Sequence, residues 1–156
     1  MTQIEDRAVI FGPGEGEKIT FKGSMITLKV TSTTSDERIG VYEIRLEPHA
    51  IGANLHYHRF IDEVFLVIKG QVTLSLPGRE VVAGEGTVIY IPRFTPHGFS
   101  NCSDKEVIIN LIFIPGQKRE GFFRELGKLL SEQTIDSDRL IKLYQEHDSY
   151  PFQAKQ

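Results

Sequence analysis

Between Lys18 and Ile114 the apolar residues fall in short runs of four to eight, cut by glycine, proline and polar clusters, with no recurrence at helical spacing. Ile26, Leu28 and Val30 alternate with Thr27, Lys29 and Thr31, and Tyr42, Ile44 and Leu46 alternate with Glu43, Arg45 and Glu47. Each stretch reads as a half-buried strand, because successive side chains of a strand point to opposite faces. Val64–Ile68 and Val107–Ile114 are nearly continuous apolar runs, so both faces of these strands are expected to be covered, one by a barrel interior and one by a second layer or a partner subunit. Pro77-Gly78 marks a tight turn joining Gln71–Leu76 to Arg79–Ala83, and Gly84–Gly86 marks the next. Beyond Pro115-Gly116 the period changes. Phe122, Phe123, Leu126, Leu129 and Leu130 make one apolar stripe on a helix from about Lys118 to Gln133. A second helix is expected to begin near Ser137 as its cap and to bury Leu140, Ile141 and Tyr144. The pattern predicts one all-β domain over 1–156, a barrel about 18–115 followed by a helical tail about 117–148 that packs on the barrel's outside.

Composition narrows the partners. At 156 residues folding removes roughly 70% of the unfolded chain's surface from water, enough for a core without cross-links. A net charge of −3 with both signs intermixed argues against nucleic acid, and no apolar segment has the length of a membrane span. Met1 to Arg7 carry acids and no apolar run, so no signal peptide is expected and the cytoplasm is the expected compartment. Cys102, the single cysteine, is expected to be a buried or half-buried apolar side chain. Gly12-Pro13-Gly14-Glu15-Gly16 reads as a turn; its two glutamates would repel a phosphate.

The chemistry concentrates on four residues. His56 and His58 are two apart, a spacing that puts both imidazoles on one face of a strand. Glu63 opens the strand that stops at Gly70, and on its face stand Phe65 and Val67, apolar walls for whatever it touches. His97 lies far off in sequence, after Thr95-Pro96, where one strand has ended and the next begins. Adjacent antiparallel strands would bring the four together as a nitrogen-rich set suited to one divalent transition metal (Fe, Mn, Ni, Co, Cu or Zn) and poorly suited to calcium or magnesium. The other two histidines, His49 and His147, are expected to face solvent.

Gly52-Ala53-Asn54-Leu55-His56-Tyr57-His58, then Glu63 and Gly70, resembles the first motif of the cupin superfamily; Gly86, Pro92, His97 and Asn101 resemble the second. The 15 residues between Gly70 and Gly86 fit the short inter-motif loop of microbial cupins. The resemblance implies a single cupin (double-stranded β-helix, jelly-roll) barrel with the full ligand set His56, His58, Glu63 and His97. One position departs from it: where the second motif has a glycine, this chain has Phe94, whose turn must avoid positive backbone angles or bear strain.

A single barrel followed by a tail such as Gly121-Phe122-Phe123-Arg124-Glu125-Leu126-Gly127 is similar to the bacterial quercetin 2,3-dioxygenase-like cupins. That resemblance implies a metal-dependent dioxygenase acting with O2 on a small aromatic, flavonol-like molecule, with release of carbon monoxide and with Glu63 as both ligand and general base. Tyr42, Ile44, Phe60, Phe65, Phe94, Phe99, Leu111 and Phe113 are the candidate pocket walls on parity and position. Two alternatives stand beside it: a metal-containing cupin that binds a small ligand without turnover, and a cupin isomerase or epimerase, which would need inward lysine or arginine of which the strands offer few. A homodimer through an outer face is the expected assembly.

Overall fold

The computed structural model describes residues 4–153. Ten strands follow in chain order: β1 Glu17–Phe21, β2 Ser24–Val30, β3 Gly40–Leu46, β4 Ile51–Tyr57, β5 Asp62–Lys69, β6 Gln71–Leu76, β7 Arg79–Gly84, β8 Val88–Ile91, β9 His97–Ser100 and β10 Val107–Ile114. A short helix α1, Ser32–Ser35, interrupts them; α2 Arg119–Leu130, α3 Ser137–Glu146 and a last strand β11 Tyr150–Pro151 complete the chain. They form two antiparallel sheets, one ordered β1-β2-β3-β10-β5-β8 and the other β11-β4-β9-β6-β7. The protein is mainly β, two facing sheets with a helical tail, as the alternating pattern predicts.

The inner faces are built by that alternation. Tyr42, Ile44 and Leu46 of β3, Phe65 and Val67 of β5, and Ile109, Leu111 and Phe113 of β10 are buried together. The outer face of β5 is less covered than its apolar run suggests: Val64 and Leu66 are half-buried and Ile68 is 47% exposed. The run therefore obeys strand parity, with apolar side chains on a face that the chain itself does not fully cover. The hairpin of β6 and β7 pairs Leu76 with Arg79 across Pro77-Gly78, and the stretch from Gly12 folds as a turn closed by Glu15 N–H donating to the Gly12 carbonyl.

The tail differs in detail. α2 buries Phe122, Phe123 and Leu129, while Leu130 is exposed beyond the covered stripe. Phe123 packs on Tyr42 and Phe113, at ring separations of 5.1 and 6.2 Å, so α2 rests on aromatics of the core. Buried Glu120 ties it down, accepting from the Tyr42 hydroxyl at 3.0 Å and from Ser32. In α3 the buried residue is Leu143, with Leu140 and Tyr144 half-buried and Ile141 49% exposed, so the stripe is rotated from its expected position. The cap is Asp136, not Ser137: its carboxylate accepts from the amides of Asp138 and Arg139, closing orphan donors of the first turn. Cys102 is exposed, not buried; it sits in the loop after β9, outside the core. Among the described residues, no helix is long and apolar enough to cross a membrane.

Candidate metal centre

The two strands that carry the histidines are held unusually close. Phe99 of β9 lays its ring over Gly52 of β4, where an added Cβ would stand 2.0 Å from the ring, and Gly98 faces the Ala53 carbonyl at a virtual 2.7 Å. Only glycines permit that approach. It fixes the register that sets His56 directly opposite His97, with ring centroids 4.6 Å apart. β5 enters from the other sheet and brings Glu63 against His97 and His58. The ligand atoms of His56, His58, Glu63 and His97 all lie within 4.8 Å of one another. His58, Glu63 and His97 are 2%, 3% and 1% exposed, and His56 forms the more open side.

Backbone carbonyls orient the three rings. Nδ1–H of His56 donates to the Asn54 carbonyl at 2.8 Å, that of His58 to the Asp148 carbonyl at 2.5 Å, and that of His97 to the Thr95 carbonyl at 2.9 Å. A carbonyl only accepts, so each Nδ1 carries its proton and each Nε2 turns to the centre. His97 Nε2 lies 2.7 Å from Glu63 Oε2, and His58 Nε2 lies 3.4 Å from the same oxygen.

Burial pushes the Glu63 carboxyl up, but the imidazoles of His97 and His58 outweigh it and hold it well below the usual carboxylate range. Burial pulls His97 down, while the charge and hydrogen bond of Glu63 more than offset this and raise it above an ordinary histidine. His56 is pushed down to about 3, by burial first and by the neighbouring His97 and His58 next. The protein alone therefore balances a carboxylate against an imidazolium at His97, with a neutral His56 beside them.

The donor set fits a transition metal. His58 Nε2 is buried and has no hydrogen-bond partner, a loss of about 1–3 kcal/mol for a polar atom unless something takes its lone pair. A cation bound by three imidazole nitrogens and one carboxylate oxygen would satisfy it and replace the His97 proton, with neutral imidazoles around a borderline ion.

The other expected wall residues separate into two groups. Tyr42, Ile44, Phe65, Phe99, Leu111 and Phe113 are packed in the core, and Tyr42 spends its hydroxyl on Glu120. Burial is also the main force raising the Tyr42 phenol. Phe60 and Phe94 are exposed, at 57% and 63%, in the loops that follow His58 and precede His97. Open space lies elsewhere, in a groove of about 430 Å³ between β6, β7 and β8. Leu74, Leu76, Ala83, Ile89 and Ile91 line it, Arg79 is the one charged side chain among its described walls, and Ile91 is the β8 register partner of Glu63. None of His56, His58, Glu63 or His97 is among its walls. Of the buried group, Phe65 stands edge-on to His97 and Phe113 edge-on to His58, each at a ring separation of 6.2 Å.

Asn101 serves the frame: its side-chain amide donates to the Leu46, Glu47 and Lys105 carbonyls. His49 is exposed, whereas His147 is half-buried against Phe122, because the chain turns inward after α3. Arg119 is the residue the sequence reading passes over. It is 4% exposed and stacked on Phe122 at 3.9 Å. Its spacing of three and four from Phe122 and Phe123, on the buried stripe, is the signal that marks it.

Phe94 takes the strained alternative, with φ of +65°, and its amide donates to the His58 carbonyl at 2.6 Å. A left-handed conformation costs a side chain about 1–2 kcal/mol, and this ring recovers little of it by burial. Phe94→Gly is therefore expected to hold or raise stability, by up to about 1 kcal/mol after the added chain entropy of glycine. Urea unfolding of the metal-free protein checks this; a loss above that size would show the ring to be a packing element.

The cupin domain family (Cupin_2) matches residues 42–114, the segment from β3 through β10 that holds His56, His58, Glu63 and His97. With the two-sheet fold and both motifs in place, this segment is a cupin domain. Among curated proteins it is 26% identical over 129 residues to quercetin 2,3-dioxygenase of Bacillus subtilis, covering 81% of this chain and 37% of that enzyme. The chain thus spans little over a third of that relative's length. Among solved structures, an RmlC-like cupin from Shewanella frigidimarina superimposes with a TM-score of 0.61 at 18% identity, covering 77% of this chain and 99% of that one. KdgF from Halomonas sp. gives 0.61 at 17%, covering 72% and 98%. Chains of this fold carry decarboxylase, isomerase and cyclase names as well. The fold therefore does not select the reaction.

Proposed function

We propose that this cupin is a metal-dependent dioxygenase that opens a small, apolar, flavonol-like aromatic ring system with O2. The observation that carries the reading is a buried three-histidine, one-carboxylate centre. The likeness to a quercetin 2,3-dioxygenase supports the substrate class. His56, His58, Glu63 and His97 would hold the metal, which when bound supplies Lewis acidity toward a substrate oxygen and redox chemistry with O2.

The chain's own residues do the rest. Glu63, ionised at neutral pH, accepts the proton of the substrate hydroxyl through an Oε atom. The His56 side, the less buried edge of the centre, would admit the hydroxyl. Exposed side chains of β5 and β8, Ile68, Val88 and Tyr90, support assembly as a homodimer.

Protein loaded separately with each candidate metal is expected to consume oxygen with flavonols, to release carbon monoxide in step, and to lose both on chelation. Tight flavonol binding with no oxygen uptake for any metal would instead make this a binding cupin.

A further inference from the structure

His56 and His97 are oriented by carbonyls two residues behind them, inside the barrel. His58 is not. Its carbonyl partner is Asp148, 90 residues on, beyond both the barrel and the family-matched segment. The chain from His147 to Phe152 forms a strap across this side of the centre. The Asp148 carboxylate accepts from the amides of Arg59 and Phe60, 2.8 Å each, gripping the turn that follows His58. β11 pairs with β4 at Tyr57 and His56, covering what would otherwise be the open edge of the ligand-bearing sheet. The Phe152 amide donates to the Leu55 carbonyl, Tyr150 stacks on Tyr57 at 5.4 Å, and Arg59 lies 4.1 Å over Tyr150.

Arg119 locks the strap from below. Its guanidinium donates to the His147 carbonyl at 2.7 Å and to Ser149 Oγ at 3.0 Å, bracketing Asp148 on both sides. Among the described residues no carboxylate pairs with it at ion-pair distance, and Nε is buried without a partner. A charge so buried costs several kcal/mol, and its hydrogen bonds go to the strap. Asp148 itself is held at a φ of +56°, a left-handed conformation that persists only where its surroundings impose it.

We propose that Asp148 is a positioning residue of the metal centre: the strap it anchors, held by Arg119, fixes the tautomer and aim of His58 and so sets the affinity for the metal. The inference rests on the metal reading and adds to it a part that the barrel alone lacks.

The test is carried by Asp148→Ala and by the milder Asp148→Asn, which keeps the volume but only one acceptor. Titration of the metal-free chain with Co(II) is expected to show binding weakened about 10–100-fold in Asp148→Ala and less in Asp148→Asn. Nitrogen NMR of the metal-free protein is expected to show His58 purely as the Nδ1–H form in the parent and as a mixture in the variants. Where Asp148→Ala does not fold, Asp148→Asn decides. Co(II) affinity within twofold of the parent together with an unchanged His58 tautomer would overturn the proposal. A parent chain that fails to bind Co(II) at all would instead sink the metal reading, while the His58 tautomer would still report on the strap.

Discussion

His97→Ala is expected to abolish metal binding in practice, by at least the ~100-fold that loss of a supporting partner can cost, and to destabilise the metal-free protein by about 3–5 kcal/mol. The second effect follows from the geometry. Glu63 is 3% exposed, its hydrogen bond at 2.7 Å comes from His97, and alanine leaves that carboxylate charge buried. The pH dependence distinguishes this from a simple cavity. His97 is raised in the folded state, so its contribution is complete below the ordinary histidine value near 6.5 and is lost as pH climbs through the raised one. Glu63 is depressed, so its contribution is present above about 4.3 and is lost as pH falls. The gap between parent and variant should be widest between these limits and narrow on both sides. Urea unfolding in the presence of a chelator measures it, and a gap independent of pH would show that the lost energy is packing alone.

The candidate ligand set was legible because strands obey a period of two and histidine is scarce: three of five fall at positions that one sheet face can gather. The alternation also gave the strands, and the change of period gave the tail. What pattern could not give is what α2 does. An apolar stripe says that a helix packs, and only the folded chain shows Phe123 against Tyr42 and Phe113. The strap is hidden for a similar reason. Asp148, Ser149 and Arg119 carry no motif, and their meaning comes from contacts 28 to 90 residues apart in sequence. Phe94 lies between these cases: the missing glycine flagged the position, and the structure decided for strain over a rebuilt turn.

Glu63→Gln should separate holding the metal from moving the proton. The amide has nearly the carboxylate's volume and keeps an oxygen to face the centre, so Phe65 and Ile91 beside it need not repack, and the barrel is expected to remain folded. Two properties vanish together: the negative charge and the capacity to accept a proton. Loss of the charge removes what holds His97 above an ordinary histidine, so in the metal-free variant the His97 midpoint is expected to fall, a shift that NMR titration reads without any metal or substrate. Metal affinity drops as well, because one anionic donor becomes a neutral one. Turnover measured at saturating metal is then expected to be lower by about 10²–10⁴-fold, the range for removing a general base. A metal-saturated Glu63→Gln protein that still opens a flavonol near the parent rate would assign Glu63 to metal binding alone and place the proton acceptor elsewhere. Full loss of turnover, with flavonol binding retained and the His97 midpoint lowered, is the pattern expected if one carboxylate both balances His97 and takes the substrate proton.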